Sequence, residues 1–192
     1  VSAVTDVSTG CSSLGIIRYQ NIYESYFLNL LHENNLQYEV LWEYPMCVLM
    51  SENHPLAALS DIPYHLLLQY TEISHGDFQV PALPPSQTKK LAAVNPSANR
   101  IFVYDRGSQF DLLQRVAGTY LWVSPVPYEE LSKHNLVQKP CSVAGINKDI
   151  VIYHNRDELQ THEKEFIDTL RLVIKTELQI FTPAKTFIKK QL

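Results

Sequence analysis

The sequence predicts an α/β fold, because short apolar runs of strand composition alternate along the chain with segments whose apolar residues recur at helical spacing. At 192 residues and 45% hydrophobic content, the chain is long enough to bury a substantial core, as one domain or as two small lobes. Gly, Pro and Asn stand between the runs where turns are needed, and neither an internal repeat nor a low-complexity stretch interrupts the order.

Leu14 to Ile17, after the Gly10-Cys11-Ser12-Ser13 turn, is the first strand, with Arg18 and Tyr19 at its carboxyl end. Asn21 followed by Glu24 marks a helix start, and Tyr23, Tyr26, Phe27, Leu30 and Leu31 keep helical spacing up to the Asn34-Asn35 stop. Tyr38 to Trp42 and Met46 to Met50 are β-rich and separated by Glu43-Tyr44-Pro45, so they are two strands or one bent strand. His54 stands ahead of Pro55 as a turn residue capping local backbone. The apolar stretch Leu66 to Ile73 leads into His75-Gly76-Asp77, and Pro81, Pro84 and Pro85 exclude a long regular element beyond; the expectation is a crossing between lobes followed by a loop.

Ile101 to Tyr104 is a strand, and Ser108 with Asp111 opens a helix that turns Phe110, Leu113, Val116 and Ala117 inward before Gly118 ends it. Tyr120 to Val123, closed by Ser124-Pro125, and Ile150 to Tyr153 are the last strands. Thr161 caps the final helix, with Glu163 and Glu165 in its positive first turn and Phe166, Leu170, Val173, Ile174 and Leu178 on one face. Strands alternating with helices predict largely parallel sheets.

Several function classes are disfavoured. The net charge is -4 and no Lys/Arg cluster forms the patch that phosphate backbones demand, so this segment is not expected to bind DNA by itself. The longest apolar runs, Met46 to Met50 and Ile150 to Tyr153, are far short of the ~20 residues of a membrane-crossing helix. No signal segment opens the chain, and Cys11, Cys47 and Cys141 are odd in number and widely spaced, which points to a reducing, cytoplasmic setting. The seven histidines show no ligand spacing beside cysteines, and His75 with Asp77 supplies at most two ligands, so no metal is expected. Gly107-Ser108-Gln109 is not a nucleophile elbow, and no glycine-rich phosphate loop is present, so no catalytic residue and no cofactor are expected. Trp42 and Trp122 lie in strands as core or interface residues.

Segments in a fixed order carry a resemblance. Val7 to Ile17 ends in Leu-Gly-Ile-Ile; Met46 to Ala57 reads MCVLMSENHPLA; Ser108 to Pro125 passes through Val-Ala-Gly to a strand ending in Pro; Leu136-Val137, Ile150 to Tyr153 and Glu165-Phe166-Ile167-Asp168 follow. Together they resemble the regulatory domain of LysR-type bacterial transcriptional regulators over roughly Val4 to Leu178, with His-Pro-Leu-Ala the distinctive match. Ser13 stands where the family has Asp, the helix around Tyr23 to Leu31 is longer than the family pattern, and Tyr120 stands where a second glycine is common.

The resemblance implies two α/β lobes of the type 2 periplasmic binding protein fold, with the first lobe lacking its initial β-α-β unit. Residues 1–70 and 154–181 would form lobe I, residues 71–153 lobe II, and residues 182–192 a tail. It also implies a small polar or anionic effector held between the lobes, assembly as a homodimer or homotetramer, and contact with DNA only through a helix-turn-helix domain absent from this chain.

In open α/β sheets, ligands sit beyond the carboxyl ends of strands, where helix N-termini offer unpaired N–H donors. Arg106-Gly107-Ser108-Gln109 is such a corner: Gly107 permits close backbone approach, Ser108 offers a hydroxyl and Arg106 a bidentate fork for a carboxylate or phosphate. The plain alternative is that Ser108 only caps the helix and Arg106 is solvated. His75-Gly76-Asp77 is either a ligand-sensing segment or an ordinary turn. Arg18 and Tyr19 carry the same two readings, and Ser124 and Pro125 stand at another strand end. An exported solute-binding protein and an enzyme on the same bilobed fold are the rival functions.

Overall fold

The computed structural model describes residues 2–76, 99–105, 107–154 and 158–178. The chain divides into two compact units, one of residues 1–45 with 145–192, the other of residues 46–144.

Unit 1 is built on an antiparallel sheet in the order β1 (Leu14–Gln20), β8 (Ile146–His154), β2 (Leu36–Pro45). The central β8 buries Ile150, Val151 and Ile152 completely, as a strand covered on both faces must. Helix α1 (Ser2–Ser8) lies against Gly15, where an added Cβ would be 3.1 Å from both Val7 and Ile152. Helix α2 (Glu24–Glu33) follows a 3-10 turn at Asn21–Tyr23, buries Phe27 and Leu31, and is stopped by Asn35 in the left-handed region at φ 54°.

Helix α6 (Thr161–Val173) runs on into a π-helical stretch, Ile174–Leu178. Its cap is Gln160 rather than Thr161, in a reciprocal box with Glu163, whose carboxylate accepts the Gln160 N–H at 2.7 Å. Of the expected apolar face, Leu170, Ile174 and Leu178 are half-buried, and the rest is corrected. Glu163 and Ile167 are the buried positions, while Phe166 and Val173 are each 46% exposed. The box holds Glu163 inward, which rotates the packed face away from Phe166.

Unit 2 holds a mixed sheet in the order β5-β4-β6-β3-β7: β3 (Cys47–Ser51), β4 (Thr71–His75), β5 (Arg100–Val103), β6 (Thr119–Val123) and β7 (Leu136–Lys139). Among the described strands only β4 with β5 and β4 with β6 are parallel; β3 is antiparallel to both its neighbours, so the expectation of largely parallel sheets fails. Side chains alternate along β3 between two cores: Val48 and Met50 with Leu56, Ile62, Leu67 and Tyr120 on one face, Leu49 with Ile73, Leu113 and Leu121 on the other. That is why Cys47 to Met50 reads as an unbroken apolar run. Among the described residues, helices α3 (Tyr64–Leu67), α4 (Ser108–Arg115) and α5 (Tyr128–Lys133) accompany this sheet. In α4, Leu113 is buried as expected, but Val116 and Ala117 lie beyond the helix and are exposed, and Gly118 turns the chain at φ 71°.

The unit boundaries differ from those expected. The first falls between Pro45 and Met46, not near Tyr70, because β3 hydrogen-bonds to β6 and β7. The stretch Leu66 to Ile73, expected to cross between lobes, instead enters β4 inside unit 2. β8 belongs wholly to unit 1 through its ladders to β1 and β2. The expected tail, 182–192, lies outside the described residues, and among those described no helix is long and apolar enough to cross a membrane.

Candidate functional site

Parallel pairing sends three strand ends to one edge of the unit 2 sheet. His75 stands opposite Val103, and Ile73 stands opposite Leu121, so the chain leaves β4, β5 and β6 on the same side. Gly76, Tyr104 and Asp105, and Ser124 with Pro125, are the first residues beyond those ends, and α4 begins three residues after Asp105. His75, Gly76, Gly107, Ser108, Gln109, Ser124 and Pro125 are thereby placed at one sheet edge. Asp77 and Arg106 lie outside the described residues.

Each of these positions has a local cause. The Gly76 N–H donates to the Val103 carbonyl at 2.8 Å, extending the β4–β5 ladder by one bond. A Cβ on Gly76 would meet the Tyr104 ring at 2.5 Å, so the room left by the missing side chain is taken by that ring, which is itself 71% exposed. Pro125 is buried, and the segment after it is clasped by Gln138, whose Oε1 accepts the Val126 N–H at 2.9 Å while its Nε2 donates to the Val126 carbonyl at 2.8 Å.

Asp105 organises the α4 corner. Its Oδ1 accepts the Gly107 N–H and its Oδ2 the Ser108 N–H, both at 3.1 Å, while the Ser108 hydroxyl donates back to the Asp105 carbonyl at 3.3 Å. A carboxylate of the chain itself therefore sits on the first amides of α4, where the sequence suggested an external anion. Ser108 is itself a preferred capping residue, which hides the role of Asp105 in the sequence. The available signal was an Asp three residues ahead of that Ser, the spacing at which an Asx side chain reaches forward to backbone N–H groups.

In unit 1, Arg18 and Tyr19 are successive strand residues, so their side chains leave opposite faces of the sheet. Arg18 is 50% exposed at its side chain yet holds Asp149 in a fork, Nε to Oδ1 and Nη2 to Oδ2, each at 2.7 Å. Its guanidinium carbon lies 5.4 Å from the centre of the Tyr44 ring, and the Tyr44 hydroxyl donates to Asp149 Oδ1 at 3.3 Å. The hydrogen bond to Asp149 raises the Arg18 pKa, while burial, reinforced by the Asp149 charge, pushes the Tyr44 phenol well above its ordinary range. Tyr19 is 4% exposed and stacks on Phe27 with ring centres 4.8 Å apart. Its hydroxyl is buried without a hydrogen-bond partner, and burial first, then the Glu24 charge, pushes its pKa up to about 12. Both residues are tied into the framework of unit 1.

The His54 imidazole is buried, with Nδ1 accepting the Leu56 N–H at 3.1 Å and the ring 4.4 Å from that of Tyr70. Cys47 is buried, which raises its thiol to about 11; Cys141 is buried too, Cys11 is exposed, and all three are free thiols. Among the described residues no three His, Cys, Asp or Glu side chains come together as metal ligands.

No protein-family model and no curated protein matches the chain. Solved structures do. A LysR family transcriptional regulator from Pseudomonas aeruginosa is 14% identical with a TM-score of 0.60 over 91% of this chain, which spans only 58% of that regulator. The regulatory domain of MetR, a LysR family regulator from N. meningitidis, is 17% identical with a TM-score of 0.59, covering 92% of this chain and 77% of that one. The effector-binding domain of QuiR, solved in complex with shikimate, is 18% identical with a TM-score of 0.57, covering 92% and 79%. At such identity the likeness is one of architecture, and it is consistent along the chain: these residues adopt the two-unit α/β fold of LysR family regulatory domains, the type 2 periplasmic-binding-like fold.

Proposed function

We propose that this chain is the effector-sensing domain of a LysR-type transcriptional regulator, binding a small polar or anionic metabolite without chemical turnover. The observation that carries the reading is the fold likeness over about nine-tenths of the chain to regulatory domains, one of them solved with shikimate. The edge of unit 2 where β4, β5 and β6 end beside the start of α4 supports it, because such edges are where open α/β sheets hold ligands. In the whole protein, a cytoplasmic homodimer or homotetramer would pass the signal to DNA through a helix-turn-helix domain. The effector must favour one arrangement of the regulator over another, since a ligand binding both equally shifts nothing.

Calorimetric titration of the 192-residue chain against a metabolite panel tests this, with Arg106→Ala and Ser108→Ala beside the wild type. Saturable binding with no product formed is expected. Affinity unchanged in both variants removes those residues from the site, and turnover that disappears in His75→Ala would replace the sensor with an enzyme.

A further inference from the structure

Among the described residues the unit 1 sheet has two edges, β1 and β2, and they are built differently. An unpaired edge invites another strand, and edges meant to stay free are blunted by a bulge, a proline or charge. β2 has a register shift between Val40 and Trp42 and ends in Pro45. β1 has neither. Its ladder to β8 is unbroken from Leu14 to Gln20, its one charge, Arg18, is held by Asp149, and Ile16 is 46% exposed. An apolar flank of α6 overlooks this edge. Glu163 accepts the Ser13 hydroxyl just ahead of β1, and Arg171 bonds to Glu39 on β2. Those two ties fix the roll of the helix, so Phe166, Leu170 and Val173, at i, i+4 and i+7, lie on the flank away from Arg171, toward β1. Phe166 and Val173 are each 46% exposed and Leu170 is half-buried.

We propose that β1 and α6 form a two-fold interface with a second copy of this chain, the two β1 strands pairing antiparallel through Ile16 and the two helices packing antiparallel along Phe166, Leu170 and Val173. A two-fold interface must be self-complementary, with residue i meeting j and j meeting i. The helix meets that condition about a centre between Thr169 and Leu170. This sets Phe166 against Val173 of the second copy, and His162, one turn ahead of Phe166, against Glu177, one turn beyond Val173. An exposed imidazole thus faces an exposed carboxylate at both ends of the apolar stripe. The strand gives the same centre. From Ser13, at the height of Glu163, three strand residues reach Ile16 about 10 Å further on, and at about 1.5 Å per helix residue that height on α6 falls near Leu170. One axis therefore serves both elements. The interface supplies a face for the assembly proposed above and is independent of the effector, since a chain that bound no metabolite would still pair in this way.

Sedimentation velocity of the 192-residue chain over a concentration series, with hydrogen exchange at the β1 amides, provides the test. A concentration-dependent dimer is expected. Ile16→Lys sets two ammonium groups together at the axis, and Phe166→Glu puts a carboxylate into each apolar stripe. Each should raise the dimer dissociation constant roughly tenfold or more, because every change is made twice per interface. Both side chains are about half exposed, so the circular dichroism of either variant should match the wild type. His162→Glu should weaken the dimer by bringing carboxylates face to face, and His162→Glu combined with Glu177→His should restore it, an exchange that only this antiparallel register allows. A chain that stays monomeric, whether or not its own residues protect the β1 amides, overturns the proposal. So does a dimer indifferent to Ile16→Lys and Phe166→Glu, or a combined variant as weak as His162→Glu alone. A dimer of this kind that binds no metabolite would refute the effector reading and leave the interface standing.

Discussion

Arg18→Met should destabilise unit 1 by roughly 1.5–3 kcal/mol, without any ligand present. The substitution keeps an apolar stem and removes the fork, so Asp149 loses two bonds of 2.7 Å and retains the 3.3 Å bond from the Tyr44 hydroxyl. The Asp149 side chain is only 12% exposed, and stranding a charge in a buried pair costs about 3–5 kcal/mol. The Arg18 side chain is 50% exposed, however, so water already screens the pair and can rehydrate the freed carboxylate, which brings the figure down to the stated range. Urea unfolding near neutral pH, followed by fluorescence in a Trp122→Phe background, isolates the unit, because Trp42 lies 3.9 Å from Tyr44 between ring centres. Adding Asp149→Asn should recover part of the loss, since no uncompensated charge then remains. A cost below about 0.5 kcal/mol, together with loss of metabolite affinity, would refute the structural role and return Arg18 to the ligand site.

Burial holds the His54 pKa below its ordinary 6.5, so the unfolded chain takes up a proton that the folded chain resists. Its contribution is fully present above 6.5 and is lost as pH falls from there through the folded value; urea midpoints read from Trp122 in a Trp42→Phe background should drop over that window, and a slope unchanged in His54→Asn would exclude this histidine as the cause. Gly15→Ala should cost about 1–3 kcal/mol, because its Cβ would press on buried Val7 and Ile152 at 3.1 Å, whereas Gly76→Ala should cost less than about 1 kcal/mol, because the exposed Tyr104 ring can swing aside. Thermal unfolding that ranks the two glycines the other way would contradict these contacts. Gln138→Ala should cost about 1–3 kcal/mol by leaving both Val126 backbone groups unpaired, and hydrogen exchange at the Val126 amide should quicken; unchanged protection there would show that the clasp is dispensable.

Much of the fold was legible in local pattern. Helix α2 was readable because Tyr23, Phe27 and Leu31 mark one face and Asn34-Asn35 ends it, and strands β1, β3, β5, β6 and β8 announced themselves as apolar runs. Helix α5 and strand β7 were not assigned from periodicity, because Tyr128–Lys133 and Leu136–Lys139 are too short for a period to establish itself. At the candidate site, the placing of Gly107 and Ser108 at a strand-to-helix corner was readable, but the occupancy of their amides by Asp105 was not inferred. Arg18 was readable as a charged residue near a strand end; its partner, Asp149, is 131 residues away and could not be.

The order of residues alone determined the longer strands and helices and the turns that bound them, since backbone preference and apolar spacing act over a few neighbouring positions. Strand direction and partner, the boundary between Pro45 and Met46, and the groups that satisfy Arg18 and the α4 amides were settled only in the folded chain. Those outcomes depend on ladders and polar contacts between distant segments, where every backbone and buried polar group must find a partner at once, a constraint with no signature in any short stretch of sequence.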